Sequence, residues 1–169
     1  PFLTLVVAKA ALERGISIPQ MLYPLHPMAG MDLPVDRDLA LAIARQESEF
    51  NTAAGSGVGA LGLMQLMPGT AEEVAGDLGV AYDRARLTTD WTYNATLGSA
   101  YLAELQVRFG PTPVMIAAGY NSGPARPSQW IAQRGDPRLG GADVVDWIEM
   151  IPFAETRNYV MRVTEAMPV

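Results

Sequence analysis

Gly55, Gly57, Gly59 and Gly62 fall close together directly after an apolar helical run, and this junction constrains the chain more than any other feature. Glycines at that spacing let the backbone take positive φ and let a ligand approach the main chain closely. The segment therefore has the composition of a binding wall, and the helix before it must end at its edge. Asp36 is placed to cap that helix, and Leu39, Ile43, Gln46 and Phe50 recur at i, i+4, i+7 and i+11, the spacing of a core-facing row. The neighbouring row is Ala40, Ala44 and Glu47, so Glu47 leaves the helix on its apolar or small-residue side, while Asp38, Arg45 and Glu49 share the solvated face. A carboxyl with apolar neighbours loses hydration in its charged form, which raises its pKa and lets it hold a proton for donation near neutrality. The same spacing also suits a solvated or salt-bridged glutamate at a helix end. Beyond the loop, Met64–Gln65–Leu66–Met67–Pro68 leads into a second helical run, whose start is marked by Thr70, Glu72 and Glu73.

Composition narrows the classes of function. The 169 residues are 49% apolar and 18% charged, which fits one globular domain with a full core. A formal net charge of −6 and no basic stripe exclude nucleic acid as the expected ligand, because phosphate binding needs clustered Lys and Arg. With no cysteine, thiolate metal sites and disulfides are unavailable. The single histidine, His26, lies between prolines in YPLHPM and is expected to be structural rather than a metal ligand or half of a Ser-His pair. No cofactor and no metal are expected. No apolar run reaches the roughly 18 residues that span a bilayer, and the chain, which begins at Pro1, reads as processed or excised from a longer protein.

Everything else reads as helix and loop, an all-α chain without internal repeats. Residues 1–15 have the content of a helix stopped at Gly15, and Pro19, Pro24, Pro27 and Pro34 turn the next stretch into a connector. TAEEVAGDL is helical up to Gly79, residues 80–90 are expected as loop, and Asp90 caps a long helix that Gly110 and Pro111 stop. Pro113 to Tyr120, Pro124 to Gln133, Val144 to Ile151 and Phe153 to Met167 complete the predicted helices, with Trp130 and Ile131 facing inward. The Arg-Gly-Asp triplet at 134–136 is treated as chance. From the residues alone Tyr120 could be a core aromatic, Asn121 a helix cap, and Glu155 a first-turn acid answering the helix dipole.

Three motifs carry a resemblance. The segment A-R-Q-E-S-x-F-N from Ala44 to Asn51, continued by S-x-V-G-A-x-G-L-M-Q-x-M-P-x-T-A from Ser56 to Ala71, closely resembles the catalytic domain of the soluble lytic transglycosylases. A-A-G-Y-N-S-G-P around Tyr120 is similar to that family's A-x-Y-N-x-G signature, and I-P-F-x-E-T-R-x-Y-V is similar to its closing motif. Asn94 and Gly98 match the Asn and Gly of its N-I-x-x-G-x-x-Y-L segment and are read as close helix packing. The chain departs from the commonest pattern with Phe50 where Trp is frequent and Gly119 where Ala is frequent.

The resemblance implies a lysozyme-like, goose-lysozyme-like transglycosylase domain over residues 31–169, with residues 1–30 a helical segment and connector, read either as the trailing end of a preceding helical-repeat domain or as an ordinary N-terminal helix. It implies a lyase of the bacterial cell envelope or periplasm that cleaves peptidoglycan glycan strands, with Glu47 as sole acid and then base. Ser56, Gln65, Met67, Tyr120 and Glu155 are the implied saccharide-binding residues, with the Tyr120 hydroxyl on the catalytic carboxylate; Arg157 and Tyr159 are expected to be structural. Most glycosidases need a second carboxylate, and none stands at a fitting place in this sequence. The alternatives are a goose-type lysozyme-like hydrolase, in which water attacks, and an inactive saccharide-binding module. Peptidoglycan is the implied partner, together with further domains of a longer parent chain.

Overall fold

The Asp36 carboxylate accepts from the N–H groups of Asp38 and Leu39, both at 2.9 Å, and so satisfies two donors that the start of a helix leaves open. The helix it starts, Arg37–Ser48, buries Leu39, Ala40, Ile43 and Ala44, as the apolar spacing requires. This computed structural model describes residues 1–167, and they are helix and loop as expected. In chain order the helices are α1 (Phe2–Leu12), α2 (Pro19–Leu22), α3 (Arg37–Ser48), α4 (Pro68–Asp77), α5 (Arg86–Thr89), α6 (Trp91–Phe109), α7 (Pro113–Ser122), α8 (Ala125–Arg134), α9 (Val144–Glu149) and α10 (Ala154–Glu165), with 3-10 turns at Pro27–Gly30 and Pro137–Leu139. Among the described residues β-pairing is confined to two isolated bridges, Gly55 with Leu61 and Leu61 with Leu66. None of the described helices is long and apolar enough to cross a membrane.

The chain folds as two units. The first comprises Pro1–Leu33 and Glu47–Gly98. Its helix α1 packs on α2 and closes through Gly15, where the Ile16 N–H donates to Ala11 O at 3.0 Å. Leu5, Met28, Leu63, Met64, Leu66, Val74 and Leu87 are buried in it. His26 is buried as well, stacked on Phe50 with ring centroids 5.3 Å apart and meeting Trp91 edge-on at 4.9 Å, while its Nδ1 accepts from Met28 N–H at 3.1 Å. This is the structural role expected of it. Burial, and then the N-terminal amine, lower its pKa from 6.5.

Two expectations in this unit are corrected. Helix α4 begins at Pro68 rather than Thr70, so Glu72 and Glu73 fall beyond its first turn; the ring of Pro68 fixes φ for a first helical position and needs no hydrogen-bond partner there. The stretch 80–90 contains the short helix α5, whose last turn runs into Asp90. Asp90 caps α6 as expected, accepting from Thr92 and Tyr93 N–H, each at 3.1 Å. The Thr92 hydroxyl first, then the Arg86 guanidinium and the Tyr93 amide, hold its carboxyl down at about 2.

The second unit comprises Pro34–Gln46 and Ser99–Val169, of which residues up to 167 are described. Its centre is α7, in which every residue from Val114 to Gly119 is buried; such a helix shows no amphipathic pattern because it is covered all round. It packs against α8 and α10, and α9 packs against α10. Trp130 meets Trp147 and Phe153, each with centroids 6.0 Å apart. Arg157 donates to the carbonyls of Glu149 and Ile151 at 3.3 and 3.1 Å, and Tyr159 is buried, so both are structural here. The Arg-Gly-Asp triplet is engaged within the protein: Arg134 donates to Met150 O, and Asp136 is gripped by Arg138 at 2.6 to 3.0 Å.

Candidate active site

Glu47 is the penultimate residue of α3 and half-buried. The helix stops one residue later, so Phe50, read into its inward row, lies beyond it: Glu49 and Phe50 take φ of 54° and 66°. For a phenylalanine that conformation is rare and costs roughly 1–3 kcal/mol, so the surroundings must enforce it. They do so through the stack of Phe50 on His26 and the ion pair between Lys9 and Glu49. The turn ends the helix directly after Glu47 and sends the chain back toward the glycine-rich loop. Ser48, buried beside Glu47, ties the helix end to that loop by donating its hydroxyl to Leu63 O at 2.6 Å.

The loop is braced from within. The Ser56 N–H donates to Ala60 O, and the Ala60 N–H donates to Ser56 Oγ, both at 2.9 Å. This pair closes a tight turn that leaves Val58 81% exposed at its tip. Leu61 and Leu66 exchange both backbone hydrogen bonds, at 2.9 and 3.1 Å. Gln65, at φ 49°, donates its side-chain amide to Ala54 O at 3.2 Å and to Gly62 O at 2.9 Å. Both amide donors are thereby spent on the loop, which leaves the side-chain carbonyl to meet a ligand. Ser56 and Met67 stand exposed on the loop and at the start of α4.

Asn94 holds this loop from the first turn of α6. Fully buried, it accepts from Met64 N–H at 2.8 Å and donates to Leu61 O at 2.9 Å and Leu87 O at 3.0 Å. The sequence suggests close packing only, because the three partners, 7 to 33 residues away, come beside Asn94 only in three dimensions. Gly62 lies against it at φ 80°, and a Cβ there would be driven into Leu87 O and the Asn94 amide. Gly98 does serve close packing, since a Cβ on it would come within 2.9 Å of Met64 Cβ.

The first unit thus joins Glu47, Ser56, Gln65 and Met67 through one helix end and one braced loop. In the second unit Tyr120 lies half-buried on α7, its ring 5.4 Å from that of Tyr101. Glu155 is exposed in the first turn of α10, where its charge also suits the helix dipole. Asn121 lies within α7 instead of capping it, and the turn that follows is made by Gly123. Among the described residues no cluster of histidine, aspartate and glutamate could hold a metal ion.

Comparison with known proteins gives the site its context. The family model described as "Transglycosylase SLT domain" matches residues 28–138. The soluble lytic murein transglycosylase of Escherichia coli (strain K12) is 38% identical over 136 residues, which is 80% of this chain and 20% of that protein. The crystal structure of the 70 kDa soluble lytic transglycosylase from Escherichia coli superposes with a TM-score of 0.82 at 32% identity, covering 96% of this chain and 27% of that one. An inactive mutant of the lytic transglycosylase Slt from Pseudomonas aeruginosa does so with a TM-score of 0.67 at 36% identity, over 96% and 22%. The chain therefore spans about a fifth of the length of the first of these relatives. Glu47, Ser56, Gln65, Met67 and Tyr120 each lie within the matched residues, and the chain belongs to the transglycosylase SLT domain family.

Proposed function

We propose that this chain is the catalytic domain of a lytic murein transglycosylase, which cleaves peptidoglycan glycan strands without water. The observation that carries the reading is Glu47 at the end of α3, half-buried, preceded on its helix by buried Ile43 and Ala44 and tied by its neighbour Ser48 to a braced glycine-rich loop. Relatives named for murein transglycosylase activity carry this domain as part of longer chains.

In the proposed reaction Glu47 donates its proton to the glycosidic oxygen between N-acetylmuramic acid and N-acetylglucosamine. The bond from the muramic C1 to that oxygen breaks, and N-acetylglucosamine leaves as an alcohol while the substrate's own acetamido group supports the positive charge at C1. The carboxylate then takes the proton of the muramic C6 hydroxyl, whose oxygen closes on C1 to give a 1,6-anhydro end. Glu47 finishes protonated as it began, and no water is consumed. Ser56, with its hydroxyl proton, and Gln65, with its side-chain carbonyl, serve acetamido and hydroxyl groups. Met67 gives the sugar an apolar face, Tyr120 hydrogen-bonds the Glu47 carboxyl, and Glu155 binds the saccharide. The proposed setting is the periplasm or cell envelope, with residues 1–30 as the end of a preceding helical domain in a longer parent chain.

Digestion of purified peptidoglycan followed by mass spectrometry of the products tests this. Anhydro-muramic ends from the wild type, and their loss in Glu47→Gln with glycan binding retained, are expected; the change in activity should exceed 100-fold. Products with reducing muramic ends only would replace the mechanism by hydrolysis, and binding without any cleavage would leave a saccharide-binding module.

A further inference from the structure

We propose that Asn94 is the positioning residue of this site, fixing the 61–66 turn and through it Gln65; the proposal rests on reading Glu47 and the loop as a glycan-cleaving site. An asparagine side chain offers two donors and one acceptor side by side. Here the donors reach Leu61 O and Leu87 O, and the acceptor takes the Met64 N–H. One side chain thereby grips both arms of the turn and fastens them to the chain just ahead of α6. Aspartate has the shape without the donors, serine is too short to span the three groups, and glutamine carries an extra methylene into a site where the Asn94 amide already fills the place a Cβ on Gly62 would take.

The grip has a direct consequence for the neighbouring residue. With Met64 N–H anchored and the Gln65 N–H turned back to Gly62 O at 3.1 Å, Gln65 is held at φ 49°. Its side chain then crosses the loop to Ala54 O and Gly62 O. The series from Asn94 through Met64 ends at the Gln65 carbonyl, the one polar atom of that side chain left for a sugar. Gly98, one turn further along α6, admits the Met64 side chain on the same side. Asn94 touches no substrate in this scheme; it decides where the loop's polar atoms stand, and displacements of about 1 Å at such groups cost up to 100-fold in rate.

The test uses Asn94→Asp, which keeps the shape and the acceptor for Met64 N–H but loses both donors. Turnover of solubilised peptidoglycan strands is measured well below the variant's unfolding midpoint, with Val163→Ala, a cavity in the core of α10, as a destabilised control. Affinity for tri-N-acetylglucosamine is measured by NMR titration in the Glu47→Gln background. We expect kcat/KM to fall about 10-fold or more through KM, and tri-N-acetylglucosamine to bind about 10-fold more weakly, while Val163→Ala keeps wild-type values. Unchanged KM and affinity in folded Asn94→Asp would overturn the proposal. Should Asn94→Asp fail to fold, Asn94→Ser is judged by the same two readouts. A wild type that binds the trisaccharide without cleaving strands defeats only the enzymatic reading, and the binding ratio still decides the role of Asn94; a wild type that does neither defeats both.

Discussion

Replacing Gly119 by alanine, the residue frequent at this position in the family, sets a helix-propensity gain against a packing cost. Gly119 is buried inside α7, and alanine in a helix interior is favoured over glycine by about 1 kcal/mol. A Cβ there would stand 2.9 Å from Cε2 of Phe109 and 3.3 Å from Cδ2 of Leu105, both closer than ordinary contact. Phe109 is itself buried, and its ring can yield only by moving into occupied space, which costs roughly 1–3 kcal/mol. The packing cost wins, so Gly119→Ala is expected to destabilise the protein by up to about 2 kcal/mol. Phe109→Leu removes the obstructing ring and should turn the same substitution favourable, by up to about 1 kcal/mol. The coupling energy between the two changes is therefore about 1–3 kcal/mol in the stabilising direction. Urea unfolding of the wild type, both single variants and the double variant measures it. Additivity within about 0.5 kcal/mol would refute the claim that Phe109 is what excludes a methyl group at 119.

Acid should weaken the fold in two steps. His26 has a lowered native pKa, so the unfolded chain binds its proton first, and stability falls as pH drops from 6.5 toward the native value. Asp90 has its pKa lowered to about 2, so its contribution is complete above 3.8 and is lost as pH falls toward 2. Urea midpoints measured from pH 8 to pH 2.5 should show both steps, and Asp90→Asn should flatten the second; a flat profile would contradict the burial of His26. Trp147 offers a test of another kind, because its indole N–H is buried without a hydrogen-bond partner among the described residues. Trp147→Phe loses ring contacts but also removes an unsatisfied donor worth about 1–3 kcal/mol, so the net change should lie within about 1 kcal/mol of zero. A loss of the 3–5 kcal/mol typical of truncating a large aromatic would show that the indole N–H is satisfied.

The residues in order were enough for the all-helical class, the caps at Asp36 and Asp90, the burial of Leu39 and Ile43 on α3, the structural role of His26 and the family, because each rests on periodicity, on a local hydrogen bond or on an ordered motif. Only the tertiary structure decided that α3 stops at Ser48. The left-handed pair Glu49 and Phe50 runs against local preference and is held by Lys9 and His26, which lie far away in the chain. The structure likewise decided what Asn94 does. Its three partners lie 7, 30 and 33 residues away, and a polar side chain in a helical run carries no mark of where its hydrogen bonds will go. Patterns of apolar residues specify which faces are buried, whereas a buried polar group is satisfied only by the particular carbonyls and amides that the finished fold brings to it.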